Sequence, residues 1–114
     1  MRFTVSINEN YMFQRLYRSG KNSVTPFVAV YYRRNGLDAN RLGITASKKI
    51  GGAVQRNRAR RIIKEAYRLT EPRLKKGFDI VVVARKKAVY SKMWDIKKSL
   101  SGIFERSSLL SKSG

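Results

Sequence analysis

The sequence contains no cysteine and no histidine among its 114 residues. The absence of cysteine excludes disulfide bonds, thiol catalysis and zinc–thiolate sites. The absence of histidine removes the commonest general acid–base residue and the commonest metal ligand. The chain therefore lacks the side chains on which much nucleophilic and metal-dependent catalysis relies.

Acidic residues are also scarce, with 7 Asp and Glu against 26 Lys and Arg, and the formal net charge is +19. They are Glu9, Asp38, Glu65, Glu71, Asp79, Asp95 and Glu105. No two of them are near neighbours in sequence or one helical turn apart, whereas a metal-dependent nuclease gathers carboxylates around its ions. We therefore predict no catalytic residue and no metal site in this chain. If the protein takes part in phosphodiester chemistry, a partner is expected to hold the active centre.

Long apolar runs are absent as well. No segment approaches the ~20 residues of a membrane-spanning helix, and the first ten residues, MRFTVSINEN, lack the apolar core of a signal peptide. We expect a cytoplasmic protein with no membrane partner and no predicted protein oligomerisation. The 42% hydrophobic content predicts one folded domain over residues 1–114, with a loose C-terminal tail at about 107–114.

The hydrophobic pattern predicts six elements in the order αββαβα, an α+β fold with helices packed on a small mixed sheet. The predicted elements are a helix capped by Asn8 or Asn10 and ending near Ser19, strands at about 26–34, 41–47 and 79–85, a charged helix at about 53–69, and a last helix at 91–106 capped by Ser91. The apolar run at 79–85 predicts a central strand that is buried on both faces. The crossover between the second and third strands passes through the charged helix, and such crossovers are right-handed in about 98% of cases.

The charged helix carries one cationic face and one apolar face. At about 100° per residue, Arg56, Arg60, Lys64, Asn57, Arg68 and Arg61 fall within an arc of about 140°. Apolar residues of the same helix occupy the opposite side. Surface helices usually mix charges of both signs, so this crowding favours a polyanionic partner over a merely solvated face. A membrane surface is the weakest alternative, because the apolar stripes are needed for a core.

Several residues near this helix remain open to two interpretations. Asn57 is either a tolerated polar residue or an amide that contacts a base, sugar or phosphate, and Gly51–Gly52 is either a plain turn or a phosphate-binding approach to a helix N-terminus. Phe13, Tyr17 and Tyr31 or Tyr32 are either core residues or rings that stack on unpaired bases.

Five motifs together resemble the protein subunit of bacterial ribonuclease P. The most specific is AVQRNRARRII at 53–63 with its lead-in TASKKIGG at 45–52. FQRLYRSG at 13–20, FVAVYY at 27–32 and FDIVVVARK at 78–86 support it. The resemblance covers nearly the whole chain, although family members often begin with a basic segment and MRFTVSINEN has only Arg2.

The resemblance implies a fold with a left-handed βαβ crossover, against the base rate. It also implies a protein that binds the catalytic RNA of ribonuclease P, where Mg²⁺ supports removal of the 5′ leader from precursor tRNA. The residues expected to face the RNA subunit are Arg56, Asn57, Arg58, Arg60, Arg61, Lys64 and Arg68. Those expected to bind the leader are Phe13, Tyr17, Tyr31, Lys48 and Lys49. A ribosomal or RNA-chaperone protein without a part in cleavage, and a stand-alone nuclease, are the alternatives.

Overall fold

A computed structural model describes residues 1–111 and shows three helices packed on a five-stranded mixed sheet. The strands are β1 (Thr4–Ser6), β2 (Lys21–Val24), β3 (Val28–Arg34), β4 (Asn40–Thr45) and β5 (Phe78–Ala84). The helices are α1 (Asn10–Ser19), α2 (Ala53–Thr70) and α3 (Met93–Arg106). The predicted α+β class is confirmed, and all six predicted elements are present.

The sheet has the order β1-β4-β5-β3-β2. β5 pairs parallel with β4 and antiparallel with β3, so its predicted central position is confirmed. α2 connects the parallel pair β4 and β5, as the predicted crossover requires. Its left-handed sense stays a prediction from the family resemblance.

The sequence analysis missed the two edge strands. β1 and β2 have three and four residues, and most of their side chains are exposed. Segments this short and polar carry no run of alternating apolar residues by which a strand is recognised. The element order is therefore βαβββαβα rather than the predicted αββαβα.

The two faces of the sheet are covered very differently. α2 and α3 pack on one face over a large core that includes Val30, Val82, Ile63 and Phe104. α1 covers the other face with a small cluster made of Ile7, Met12, Leu16 and Val81. Consecutive residues of β3 and β5 point to opposite faces, which is why the uninterrupted apolar run of β5 is buried on both sides.

The predicted helix ends are correct within two residues, but the predicted capping residues are wrong. Glu9 is the N-cap of α1, and no side chain caps this end. Lys92 is the N-cap of α3, and its backbone N–H donates to Asp95 at 3.0 Å. Gly20 follows α1 as predicted because of crowding: an added Cβ would lie 2.6 Å from the Leu16 carbonyl oxygen.

The tail from residue 107 is not loose as far as the structure describes it. Leu109 is buried, its carbonyl accepts from the Lys75 N–H at 2.8 Å, and Leu110 pairs with Leu74 in an antiparallel bridge. The apolar pair Leu109–Leu110 therefore closes the core next to α3. Residues 112–114 of the predicted tail lie outside the described part.

β1 is fastened to the end of α2 by Glu71, which is buried. Its carboxylate accepts the backbone N–H of Arg2 at 2.6 Å and that of Phe3 at 3.3 Å. Burial alone would raise the pKa of Glu71, but these hydrogen bonds and one from Thr4 outweigh it and lower the pKa. The Thr4 hydroxyl also bonds to that of Tyr67 at 2.9 Å, and burial raises the pKa of Tyr67 to about 12.

Candidate nucleic-acid interface

The cationic face of α2 exists as predicted. Arg61 and Lys64 are exposed, whereas Arg56 and Arg60 are partly buried. Within residues 1–111, none of these four has a carboxylate at ion-pairing distance. Four uncompensated positive charges on adjacent turns of one helix repel each other, so this surface favours an anionic partner.

Arg68 differs from these four because Glu65 compensates its charge. Its guanidinium donates to the two carboxylate oxygens of Glu65 at 2.5 and 3.1 Å. Glu65 therefore lies next to the cationic face and pairs with its last arginine. Both side chains are about half exposed, so the pair contributes little to folding stability. The hydrogen bond from Arg68 lowers the pKa of Glu65 below its ordinary value, which keeps the pair charged.

Arg58 lies apart from the cationic face. Its guanidinium donates to the carbonyl oxygens of Val89 at 2.8 Å and Ser91 at 3.0 Å. These bonds fasten the start of α2 to the segment before α3. The structure thus gives Arg58 an internal bonding role that the expectation of an RNA-facing residue did not include.

Arg60 links α2 to the end of β4. One guanidinium nitrogen donates to Asn57 Oδ1 at 2.9 Å, and another donates to the Ala46 carbonyl at 3.3 Å. Asn57 is exposed, and the bond to Arg60 uses its oxygen. Its amide N–H groups are the part of this side chain that a partner's acceptor would meet.

A groove runs along the open edge of β4, between α1 and α2. β1 pairs with β4 only at residues 40–42, which leaves Gly43, Ile44 and Thr45 without a strand partner on that side. Two cavities, of about 1160 and 450 Å³, meet there because both are lined by Ile44 and Arg60. The groove is further lined by Phe13, Gly43, Arg61, Lys64, Tyr17, Tyr31, Thr45, Ser47 and Val83.

Three of the predicted leader-binding residues line this groove. The rings of Tyr17 and Tyr31 meet edge to face, with centroids 5.1 Å apart. The Phe13 ring lies directly against Gly43, where an added Cβ would approach a ring carbon to 2.5 Å. Glycine at position 43 therefore allows an aromatic ring to form the floor of the groove.

The structure settles which rings of α1 and β3 belong to the core. On α1, Leu16 is fully buried, whereas Tyr17 is 38% exposed and Phe13 is half-buried, so neither ring is a fully buried core residue. Met12 takes the second buried position of α1. Tyr32 packs on the opposite face of the sheet from Tyr31, which makes Tyr31 the groove residue of this pair.

The two predicted leader-binding lysines stand at the end of the groove. Lys48 and Lys49 are exposed on a 3₁₀ turn, Lys48–Ile50, directly after the groove residue Ser47. Neither lysine lines the cavities themselves.

Sequence reasoning missed the groove residues of β4 and the part played by Glu65. Ile44, Thr45 and Ser47 carry no charge or ring, and only the shortness of β1 exposes them. Glu65 and Arg68 are spaced at i and i+3, which predicts an ion pair on a helix. The angular positions of the basic residues alone do not show this pairing.

The described residues hold neither a membrane-crossing helix nor a metal-binding cluster. None of the three helices is long and apolar enough to cross a bilayer. No three carboxylates come together in the described part. Asp79 is instead held by Arg41 at 2.6 and 2.9 Å and by Asn35, and that ion pair raises the pKa of Arg41.

A sheet with an aromatic groove beside an uncompensated cationic helix defines a small, basic α+β nucleic-acid-binding protein. The family model described as Ribonuclease P matches residues 1–108. The chain belongs to this family.

Relatives and solved structures agree with this assignment. The ribonuclease P protein component of Thermoanaerobacter sp. is 41% identical over 92% of this chain and 90% of its own length. That of Clostridioides difficile is 37% identical over 93% of this chain and 94% of its own. The Staphylococcus aureus RNase P protein has a TM-score of 0.82 at 33% identity, covering 93% of this chain and 97% of its own. The Thermotoga maritima protein has a TM-score of 0.75 at 34% identity, covering 82% of this chain and 89% of its own.

Proposed function

We propose that this chain works as the protein component of a ribonuclease P holoenzyme, in the cytoplasm. In this role, the cationic face of α2 binds the RNA subunit, and the groove holds the 5′ leader of precursor tRNA. The observation that carries the proposal is the juxtaposition of the two surfaces. Arg60, Arg61 and Lys64 belong to the cationic face and also line the groove.

The cationic face supplies affinity through phosphate contacts. Each phosphate that a lysine or arginine neutralises releases counterions, so binding weakens as salt rises. Arg56, Arg60, Arg61 and Lys64 have no competing carboxylate in the described part, so their charges are available to RNA. Lys48 and Lys49 extend the positive surface past the end of the groove.

The groove suits a single strand. Tyr17, Tyr31 and Phe13 offer aromatic surface to unpaired bases, and Arg60 and Arg61 lie where the backbone phosphates would pass. Stacking is tolerant of base identity, because every base has a π face. Tolerance of this kind suits a leader whose sequence differs from one precursor to another.

The chemistry of cleavage is assigned to the RNA subunit. The carboxylates in the described part do not fit a divalent-ion site: Glu71 and Asp79 are used internally, and Glu65 pairs with Arg68. We therefore assign Mg²⁺ to the RNA. The protein's part is to hold substrate and ribozyme together by screening the repulsion between two polyanions.

The salt dependence of assembly with ribonuclease P RNA tests the cationic face. If the four uncompensated cations each neutralise one phosphate, log K falls by about 3 per decade of salt. Changing Arg61→Gln and Lys64→Gln together lowers this slope by about 1.4. Filter binding from 50 to 500 mM KCl measures both slopes.

The matched control changes one arginine and one lysine elsewhere, Arg73→Gln with Lys98→Gln. Both residues are exposed and outside the groove. An equal loss of slope in this control would mean that binding depends on total charge rather than on the α2 face. Cleavage of precursor tRNA by the protein stripped of all RNA would contradict the assignment of catalysis to the RNA subunit.

A further inference from the structure

One aromatic ring stands out from the segment that joins β5 to α3. Ala88, Val89 and Ser91 are at most 5% exposed, whereas Tyr90 between them is 80% exposed. The residues on both sides of Tyr90 are thus buried, whereas its ring is exposed to solvent. Fully burying an aromatic ring is strongly favourable, so this exposure leaves a large apolar surface free for a partner.

The backbone on both sides of Tyr90 is held by Arg58. The guanidinium donates to the carbonyl immediately before Tyr90, that of Val89, and to the one immediately after it, that of Ser91. The Ser91 hydroxyl closes the same turn by donating to the Ala88 carbonyl at 2.8 Å. Tyr90 is therefore presented from a fixed backbone, which lowers the entropy that a partner must remove on binding.

The surroundings of Tyr90 are cationic. Its 3₁₀ turn, Lys86–Tyr90, contacts the α2 helix and the turn that carries Lys48 and Lys49. Lys86, Lys87 and Lys92 are exposed on the same segment. The segment itself, residues 85–92, contains no Asp or Glu, and Asp95 in the first turn of α3 accepts the Lys92 backbone N–H.

An exposed ring among lysines fits a nucleic acid better than an apolar protein surface. The lysines attract phosphates, and the ring supplies a stacking surface to a base between them. A partner without negative charge would gain only the ring and would have to desolvate the lysines around it.

We propose that Tyr90 is a stacking platform for an unpaired base of the RNA that this chain binds, and that Arg58 is the residue that positions it. The proposal rests on the proposed function, since it assumes a complex with ribonuclease P RNA. It also assigns a role to Arg58, which belongs to the motif at 53–63 but lies off the cationic face.

The test measures binding of the full chain to ribonuclease P RNA at fixed salt. Tyr90→Ala is expected to weaken binding by about 5- to 150-fold, the range for loss of one stacked base. Tyr90→Phe keeps the ring and stays within about twofold of wild type. Trp94→Ala is the matched control and also stays within about twofold. Trp94 is 64% exposed, but the Lys97 ammonium already lies 5.0 Å from its ring centroid and the bonds of Arg58 are to Val89 and Ser91 instead. The salt slope is unchanged in all three, since no charge is removed.

The positioning role of Arg58 is tested by a double-mutant cycle. Arg58→Gln weakens binding on its own, and in a Tyr90→Ala background it weakens binding by a smaller factor, because the platform is already gone. Equal factors in the two backgrounds would overturn the positioning role.

Three other results would overturn the stacking role. These are Tyr90→Ala binding within twofold of wild type, Tyr90→Phe binding as weakly as Tyr90→Ala, or Trp94→Ala causing the same loss. Failure of the wild-type chain to bind this RNA would instead contradict the proposed function. Because Tyr90 is exposed, we expect the thermal unfolding midpoint of Tyr90→Ala to match that of wild type. Such a match would exclude misfolding as the cause of weaker RNA binding.

Discussion

The two faces of the sheet divide folding and binding between them. The face under α2 and α3 contains most of the buried apolar residues, including Phe104 and Tyr67, whose rings meet edge to face at 6.4 Å. In the described part, the face under α1 has a buried cluster of four apolar residues, and Phe13, Tyr17 and Tyr31 on that face are partly open to the groove. Aromatic residues lie on both faces, but the three rings that line the groove all belong to the thinly covered face.

The same truncation on the two faces should have very different costs, and this is the largest effect that we predict. Phe104→Ala removes a fully buried ring and should lower the free energy of unfolding by about 4 kcal/mol. Phe13→Ala removes a partly exposed ring and should cost about 1–2 kcal/mol. Urea unfolding followed by circular dichroism measures both. Equal costs would show that α1 and its face contribute as much to stability as the main core.

Tyr17 sharpens the comparison, because we expect its ring to serve binding and not folding. Tyr17→Ala should change the free energy of unfolding by no more than about 0.5 kcal/mol. It should weaken binding of leader-bearing precursor tRNA to the reconstituted holoenzyme by about 1–2 kcal/mol and leave mature tRNA unaffected. Tyr11→Ala is the control, since Tyr11 is exposed on the same helix but lies outside the groove. Equal losses of binding for precursor and mature tRNA would contradict the proposed contact between Tyr17 and the 5′ leader.

Glu71 extends the comparison to the edge of the sheet that β1 forms. Because its pKa is lowered in the folded protein, its bonds to Arg2 and Phe3 stabilise the fold at neutral pH. That contribution is lost as the pH falls through the folded pKa, below the ordinary value of 4.5. Glu71→Gln should cost about 1.5 kcal/mol at pH 7 and reduce the loss of stability on acidification.

Hydrogen exchange at the amides of Arg2 and Phe3 measures the attachment of β1 directly. In wild type, protection of these amides should fall as the pH is lowered below the ordinary carboxyl pKa of 4.5, whereas in Glu71→Gln it should be low throughout. An identical pH dependence in the two proteins would show that another group controls the attachment of β1.

The long elements were predictable because each has a strong periodic pattern. The apolar run of β5 and the two-sided α2 helix gave both their type and their position within two residues. β1 and β2 were not predictable, because their few polar residues become strands only through pairing with β4 and β3. The residues of β1 and β2 themselves do not show which strand they will pair with.

The candidate site was predictable as a set of residue types but not as a geometry. The charges of α2 follow from helical angles, yet the internal bonds of Arg58 depend on where residues 89–91 lie after the chain has folded. The assignment of Tyr31 rather than Tyr32 to the groove likewise needed the position of α1. Packing between distant segments, and not composition, decides these points.

The position of β5 has a consequence for synthesis of the chain. Before residue 78 has been made, the sheet can exist only as two separate ribbons, β1 with β4 and β2 with β3. Two-stranded ribbons are marginal in water, so a nascent chain of this length has no stable sheet. β5 pairs with both β4 and β3, so its addition joins the two ribbons into one sheet. We therefore expect the sheet to fold only after β5 has been translated, and a chain truncated before residue 84 should be an unfolded polycation.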